Sequence, residues 1–140
     1  MKKSGLVATL AAGMLLLAAC GSSSKTIDAA ALASSLATDI SYDDTLEQIS
    51  DEDVSMYIEV PEGVKSYVYM GSGSTAEEVA VFEAPDKDTA ATVKANVQTY
   101  LDDQSDSFQD YIPEESKRIG NAVLEQKDQY VILCVSGDSD

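Results

Sequence analysis

Apolar or large side chains recur every three or four positions after Asp86, and this spacing predicts a long helix with one buried face. The recurring residues are Ala90, Val93, Val97, Tyr100, Gln104, Phe108 and Tyr111. Asp86 is suited to cap the free amides at the start of this helix. The polar residues 102–106 leave open a break before Phe108. We expect a helix from Asp86 to about Tyr111 that packs on a sheet.

Shorter helices are predicted elsewhere in the chain. Residues 27–40 carry apolar side chains four positions apart, beginning at Leu32, which indicates a helix with a narrow apolar stripe. Pro113 suits the first turn of a further short helix, and Gly120 is placed to close it.

Two structures are compatible with residues 51–60. Ser50 can cap a short helix whose acidic first turn suits the helix dipole and which ends near Tyr57. Alternatively, a turn between Val60 and Val64 forms a hairpin with the strand that follows. The pattern favours the helix and leaves the hairpin open.

Alternating or continuous apolar stretches predict four strands. They are residues 64–70, 77–84, 121–126 and 129–136. A tight turn at Lys127 and Asp128 joins the last two strands. Residues 130–135 are apolar on both faces, which is typical of a strand in a sheet covered on both sides. We therefore expect an α+β fold, with a mostly antiparallel sheet of about four strands packed by one long helix and shorter helices.

The amino-terminal stretch has the three-part layout of a secretory signal. Lys2 and Lys3 give it a positive start, and residues 6–19 are apolar without a charge. A membrane span needs about 20 apolar residues, so this run is too short for one. Its end, Leu17-Ala18-Ala19-Cys20, resembles the lipobox of bacterial lipoproteins, in which the signal is cut before the cysteine and the cysteine thiol receives diacylglycerol.

This resemblance implies cleavage between Ala19 and Cys20 and lipidation of Cys20. The expected organisation is a signal peptide (residues 1–19), a lipidated cysteine with a flexible tether (residues 20–26) and a single α+β domain (residues 27–140). Because two acyl chains anchor a protein stably, the membrane is an expected partner through the lipid on Cys20. We expect a lipid-anchored protein on the extracytoplasmic face of the cell membrane.

The chain is strongly acidic. It has 140 residues with 9 basic and 25 acidic side chains. Without residues 1–19 it keeps 7 basic and 25 acidic side chains, a net charge of −18. Such a charge repels phosphates, so we expect no nucleic acid partner. We interpret this charge as a solubilising surface, and a basic partner or loosely held cations are the alternatives.

The residue types limit the chemistry that the domain can perform. The chain has no histidine, which removes the commonest general base and the usual neutral metal ligand. Of its two cysteines, Cys20 is assigned to the lipid. Cys134 lies in an apolar strand and is expected to be a small buried hydrophobic residue. Phosphate loops and dinucleotide fingerprints are absent from the sequence. We expect no cofactor.

Clustered carboxylates are the remaining candidates for site chemistry. The clusters are Asp43 with Asp44, Asp51 to Asp53, Glu77 with Glu78, Asp102 with Asp103 and Asp106, and Glu114 with Glu115. None has the ligand spacing and central glycine of a calcium loop. We interpret them as solvated faces and helix caps, and expect neither a metal site nor a catalytic residue.

Tyr67 and Tyr69 are the candidates for a binding surface. They lie two apart on the predicted strand 64–70, on the face opposite Val68. Tyrosine combines apolar area with a polar tip and is enriched at protein interfaces. These two side chains could therefore contact a partner such as an envelope protein. The alternative is that a helix covers this face.

Several stretches, in order along the chain behind the lipobox, resemble a family of small Gram-positive lipoproteins. The stretches are Ala76-Glu77-Glu78-Val79-Ala80-Val81, Phe108-Gln109-Asp110-Tyr111-Ile112-Pro113, Asn121-Ala122-Val123 and Tyr130-Val131-Ile132-Leu133. The family is catalogued as domain of unknown function four-three-five-eight, and the resemblance covers most of the chain from about Leu46. One departure is Lys127-Asp128-Gln129, where a glycine is expected in relatives. The resemblance implies an exported lipoprotein of unknown role and supplies no catalytic pattern.

Two functions are compatible with these observations. The favoured one is a noncatalytic binding or accessory module of the cell envelope. The alternative is a small carboxylate-dependent hydrolase that acts on cell-wall polymer. Two carboxyl groups in one cleft would favour the enzyme, and an exposed apolar or aromatic surface would favour the binder.

Overall fold

Residues 26–137 are described by a computed structural model, so the predicted signal peptide, Cys20 and nearly all of the predicted tether lie outside the described residues. Residues 138–140 also lie outside them. The described part forms four helices and five strands. The helices are α1 (Ala29–Asp39), α2 (Asp51–Tyr57), α3 (Lys87–Gln109) and α4 (Pro113–Gly120). The strands are β1 (Glu47–Gln48), β2 (Lys65–Met70), β3 (Glu78–Glu83), β4 (Val123–Lys127) and β5 (Tyr130–Val135).

The five strands form one antiparallel sheet in the order β1-β2-β3-β5-β4. The predicted α+β class is confirmed, but the expected number of about four strands is wrong by one. The additional strand is β1, in which Glu47 pairs with Met70 and Gln48 with Tyr69. A strand of two residues is too short to show alternation, so its periodicity cannot reveal it.

The segment after Ser50 is a helix, and the alternative hairpin is wrong. The Ser50 hydroxyl accepts a hydrogen bond of 3.2 Å from the Asp53 N–H, which caps α2 as predicted. The strand β2 pairs with β3 on one side, and Tyr67 lies opposite Val81 rather than opposite Tyr57.

The helix α3 is continuous from Lys87 to Gln109. The Asp86 side chain accepts a hydrogen bond of 2.7 Å from a backbone N–H of the first turn, so the predicted cap is confirmed. The polar residues 102–106 do not break the helix, because Leu101 and Phe108 on either side of them are both buried. Tyr111 lies beyond the end of α3 and is exposed, so its predicted place on the buried stripe is wrong.

Both faces of β3 are buried. Phe82 belongs to a core cluster that also contains Val93 and Val97 of α3. Its neighbour Val81 points to the opposite face and packs with Ala33 of α1. The sheet therefore lies between α3 on one face and α1 on the other.

The strands β4 and β5 form the predicted hairpin, with its turn one residue later than expected. Lys127 pairs with Tyr130, so the turn residues are Asp128 and Gln129. Asp128 has a φ of 52°, in the left-handed region that favours glycine and that aspartate tolerates. The Gln126 side chain donates a hydrogen bond of 3.1 Å to the Asp128 carbonyl and supports this turn without a glycine.

Candidate functional site

A pocket of about 320 Å³ opens between the end of α2, the turn that joins β2 to β3, and the second half of α3. Its walls combine apolar, aromatic and acidic side chains, among them Ile49, Tyr57, Met70, Glu78, Gln104 and Phe108. The volume is at the small end of the range for ligand sites. A small organic group fits such a space, whereas several units of a polymer do not.

Glu78, the first residue of β3, contributes a carboxyl group to the pocket and is only 3% exposed. The Tyr100 hydroxyl of α3 donates a hydrogen bond of 2.9 Å to Oε2 of Glu78. Burial raises the pKa of Glu78 to about 8, and the hydrogen bond from Tyr100 opposes that shift without cancelling it. Burial also raises the pKa of Tyr100, so its hydroxyl keeps the proton that it donates. At neutral pH the Glu78 carboxyl is therefore mostly uncharged.

Two exposed tyrosines line the same pocket. Tyr57 is 52% exposed and Tyr111 is 63% exposed. Tyr57 is the last residue of α2, so the Ser50 cap of that short helix helps to hold it in place. The Tyr111 ring stacks on Phe108 with their centroids 5.4 Å apart. Exposed aromatic rings beside a concave site are typical of binding surfaces.

The turn between β2 and β3 forms one edge of the pocket, and Asp44 holds it. Oδ2 of Asp44 accepts hydrogen bonds of 2.7 Å from both the N–H and the hydroxyl of Ser72. These hydrogen bonds, first the one from the Ser72 side chain, hold the pKa of Asp44 below its usual value. A Cβ at Gly71 would lie 2.6 Å from Oδ2 of Asp44, and Gly73 has a φ of 92° that favours glycine. Close packing and backbone conformation thus both fix this edge.

Arg118 of α4 forms ion pairs with three carboxylates behind the pocket. Its Nη2 lies 2.7 Å from Oδ2 of Asp43, and its Nη1 lies 3.2 Å from Glu77 and 3.3 Å from Glu115. Nη1 is buried at ion-pair distance from both groups but meets the hydrogen-bond geometry of neither. The side chain of Arg118 is 15% exposed, so this ion-pair network is partly shielded from solvent. It connects α4 to the segments that precede β1 and β3.

Glu77 lines the pocket as well, but its carboxylate is already occupied. Its two oxygens accept hydrogen bonds from the N–H of Asp43 at 3.1 Å and of Asp44 at 2.8 Å, in addition to the ion pair with Arg118. These contacts hold the loop before β1 against the start of β3. The Glu77 carboxylate therefore has a structural role that competes with any catalytic one.

The interpretation of all carboxylate clusters as solvated surface is wrong for three residues. Glu77, Glu78 and Glu115 are buried, at 2%, 3% and 7% exposure. Arg118 and backbone amides compensate Glu77 and Glu115, and protonation compensates Glu78. Within residues 26–137, no three acidic or thiol side chains are placed to hold a metal ion together.

The predicted interface residues Tyr67 and Tyr69 lie away from this pocket. Both are half-buried and pack against the cluster that contains Ala29 and Ala33 of α1. Cys134, expected to be buried, is half-buried on the same face of the sheet. Its Sγ lies 3.7 Å from the Tyr42 hydroxyl. The role of the two tyrosines in an interface stays a prediction.

The predicted cleavage site, Ala19 and Cys20, and the lipid on Cys20 lie outside the described residues. None of the helices within residues 26–137 combines the length and the hydropathy that crossing a membrane requires. The expected anchor is therefore a prediction that rests on residues 1–20 alone.

The sequence indicates Glu78 only as one of several carboxylate clusters, and it does not indicate the pocket residues Tyr57 and Tyr111 or Tyr100, which donates to Glu78. One signal could have indicated Glu78, because an acidic residue begins an otherwise apolar strand and such a group needs a partner or a proton. The tyrosines carry no comparable signal, since α2, α3 and the residues after α3 meet only in the folded chain.

A family model described as a domain of unknown function, DUF4358, matches residues 43–136. The match begins after α1 and contains every strand and the whole pocket. No curated protein and no solved structure gives a significant match to the chain.

Proposed function

Since the chain belongs to the DUF4358 family, whose function is unknown, we propose a function from its own residues. The protein is a noncatalytic binding module of the cell envelope, and the pocket is its binding site. Lipid on Cys20 holds it on the extracytoplasmic face of the cell membrane. The charged start, the apolar run and the lipobox-like end of residues 1–20 support this location.

The observation that carries the binding role is the composition of the pocket. A buried carboxyl group, Glu78, lies at a site that exposed aromatic rings also line. Burying a carboxyl group without a charged partner costs free energy, and a site for a ligand is a common reason for retaining such a group. The fixed turn and the capped helix α2 keep the pocket formed without a ligand.

The alternative, a carboxylate-dependent hydrolase acting on cell-wall polymer, has one observation in its favour. Glu77 and Glu78 both line the pocket. Against it, the Glu77 carboxylate is bound by two amides and by Arg118, so it is not free to act as a base beside the protonated Glu78. The small volume of the pocket also favours a small ligand over a polymer.

The test is recovery of a bound molecule with the mature lipoprotein. The protein is purified from native membranes in a mild detergent, and native mass spectrometry measures any adduct. Gln104→Trp places a large ring in the pocket from α3 and should abolish the adduct. Ser107→Trp, an exposed position on the same helix, is the matched control and should keep it.

An adduct that is equally abundant in both tryptophan variants would place the ligand elsewhere. Absence of any adduct from the unmodified protein, combined with release of products from wall polymer, would replace the binder by the hydrolase. Loss of that release in Glu78→Gln would assign the reaction to this pocket.

A further inference from the structure

The acidic and aromatic groups around Glu78 are not balanced by a basic one. Asp53 and Tyr57 line the pocket from α2, Glu77 from the residues before β3, and Tyr111 from the segment after α3. Among the described residues that line the pocket, none is lysine or arginine. Arg118 forms ion pairs with Asp43, Glu77 and Glu115, and the Tyr100 hydroxyl donates a hydrogen bond to Glu78.

We propose that the pocket binds an organic ammonium cation, which lies against the aromatic rings and forms an ion pair with Glu78. This inference rests on the proposed function, because it specifies the ligand of the same pocket. A cation is attracted to the faces of aromatic rings and gains further when the site is shielded from water. The net charge of −18 that remains after residues 1–19 would steer cations towards the domain.

The lining selects an organic cation over a metal ion. Ile49, Met70 and Phe108 give the pocket apolar walls, which suit alkyl groups on nitrogen and offer no oxygen ligands. Metal ions of the hard type need six or more oxygen ligands, and residues 26–137 contain no cluster arranged for one. The volume of about 320 Å³ accommodates a substituted ammonium group with a short chain.

Binding of a cation is coupled to loss of the proton on Glu78. In the free pocket the buried carboxyl, with its pKa of about 8, holds this proton at neutral pH. A bound ammonium stabilises the carboxylate, so the proton leaves to solvent as the ligand enters. Affinity for the cation should therefore rise with pH, by up to about tenfold per unit below pH 8, and then level off. A neutral ligand that accepts a hydrogen bond from the protonated carboxyl would show the opposite trend.

The experiment compares ligands of one shape and different charge. Choline is titrated into the mature lipoprotein in dodecyl maltoside by calorimetry, at about pH 6 and about pH 8, with empty micelles as the blank. The controls are 3,3-dimethylbutan-1-ol, in which carbon replaces nitrogen, and the anion 3,3-dimethylbutanoate. We expect choline to bind about tenfold or more tightly than the alcohol at pH 8, and the anion not to bind.

Variants then test the residues. In Glu78→Gln, choline binding should weaken about tenfold at pH 8 and lose its pH dependence, which a structural role alone would not produce. Gln104→Lys places a cation in the pocket and should block choline, whereas Gln104→Met, of similar size, should not. Tyr57→Ala should weaken binding, while Met56→Ala, 68% exposed and outside the pocket lining, should leave it unchanged.

Each of the other possible outcomes would refute a named part of the proposal. Equal binding of the alcohol and choline would refute the cation and keep the pocket as a binding site. Binding that weakens as pH rises would refute the ion pair with Glu78. If none of the three probes binds while the native protein carries a molecule that Gln104→Trp abolishes, the cation class fails and the proposed function stands. If that adduct is missing too, both the cation proposal and the proposed function fail.

Discussion

At the scale of single residues, Glu78 has the largest effect on how the stability of the fold depends on pH. It sits at the start of a strand whose next residues are fully buried, so its carboxyl enters the protein with the strand. The hydroxyl of Tyr100 supplies one hydrogen bond and no charge. Protonation of the buried carboxyl therefore costs less free energy than leaving it charged. The stability of the fold depends on pH as a result.

Glu78→Gln should flatten the pH dependence of stability. The folded pKa of about 8 lies above the ordinary glutamate value of 4.5, so between these values the folded state holds a proton that the unfolded state has lost. The free energy of unfolding of the unmodified protein should therefore fall as pH rises through that window, by at most about 1.4 kcal/mol per unit. Urea denaturation at several pH values measures this slope. The exposed variant Glu114→Gln should keep it, and an unchanged slope in Glu78→Gln would assign the dependence to another group.

At the scale of elements, the short helix α2 depends on its cap. A helix of seven residues has few internal hydrogen bonds, and the Ser50 hydroxyl satisfies the Asp53 N–H while donating to the Asp53 carboxylate at 2.7 Å. This helix carries Tyr57 to the pocket. Stability of the helix and shape of the binding site are therefore coupled.

Ser50→Ala should lower the free energy of unfolding by about 1 kcal/mol and weaken ligand binding in the pocket. The first effect follows from the lost cap, and the second from greater motion of Tyr57. Urea denaturation and choline titration measure them. Ser55→Ala, an exposed serine within the same helix, should change stability by less than about 0.5 kcal/mol. Equal effects of both substitutions would show that the cap contributes little.

The docking of α1 on the sheet can be measured through Cys134. This thiol lies half-buried on the face that α1 covers, near Tyr42. In a Cys20→Ser background, which leaves Cys134 as the only thiol, a maleimide should react slowly. Ala33→Glu places a charge at a fully buried contact of α1 and should speed labelling about tenfold or more. Ser34→Glu, exposed on the same helix, is the control, and fast labelling of both variants would show that α1 does not shield the thiol.

Across the whole molecule, the sequence predicts the elements that arise from a local pattern. It does not predict contacts that form where separate elements meet. The helix α3 and the strand β3 follow from runs of apolar residues long enough to have a period. The burial of Glu115 does not follow from such a run, because its partner Arg118 contacts Glu77 and Asp43 only once the loops have folded together. The pocket is missed for the same reason, since Tyr57 and Glu78 meet there from separate elements.

The proposed anchor makes a prediction for the whole chain in cells. Cys20→Ala removes the acceptor for the lipid, so uncut precursor or an unlipidated form should accumulate. Immunoblotting after detergent phase separation distinguishes these forms by size and by phase. Cys134→Ala is the matched control and should be processed normally. Normal cutting and detergent-phase partitioning of Cys20→Ala would refute the lipobox.

The position of α1 determines how the domain responds to mechanical force. The chain enters the described fold beside Ile27, whose N–H donates a hydrogen bond of 3.2 Å to the Tyr130 hydroxyl, and continues directly into α1. A pull on the amino-terminal side therefore loads this hydrogen bond and α1 before it loads the pairing between strands. Within α1 only Ala29 and Ala33 are buried, so the helix should detach from the sheet at low force, visible as a small extension step in an optical trap. That step would uncover Tyr67 and Tyr69, and a partner that recognises them would bind the stretched protein in preference to the relaxed one.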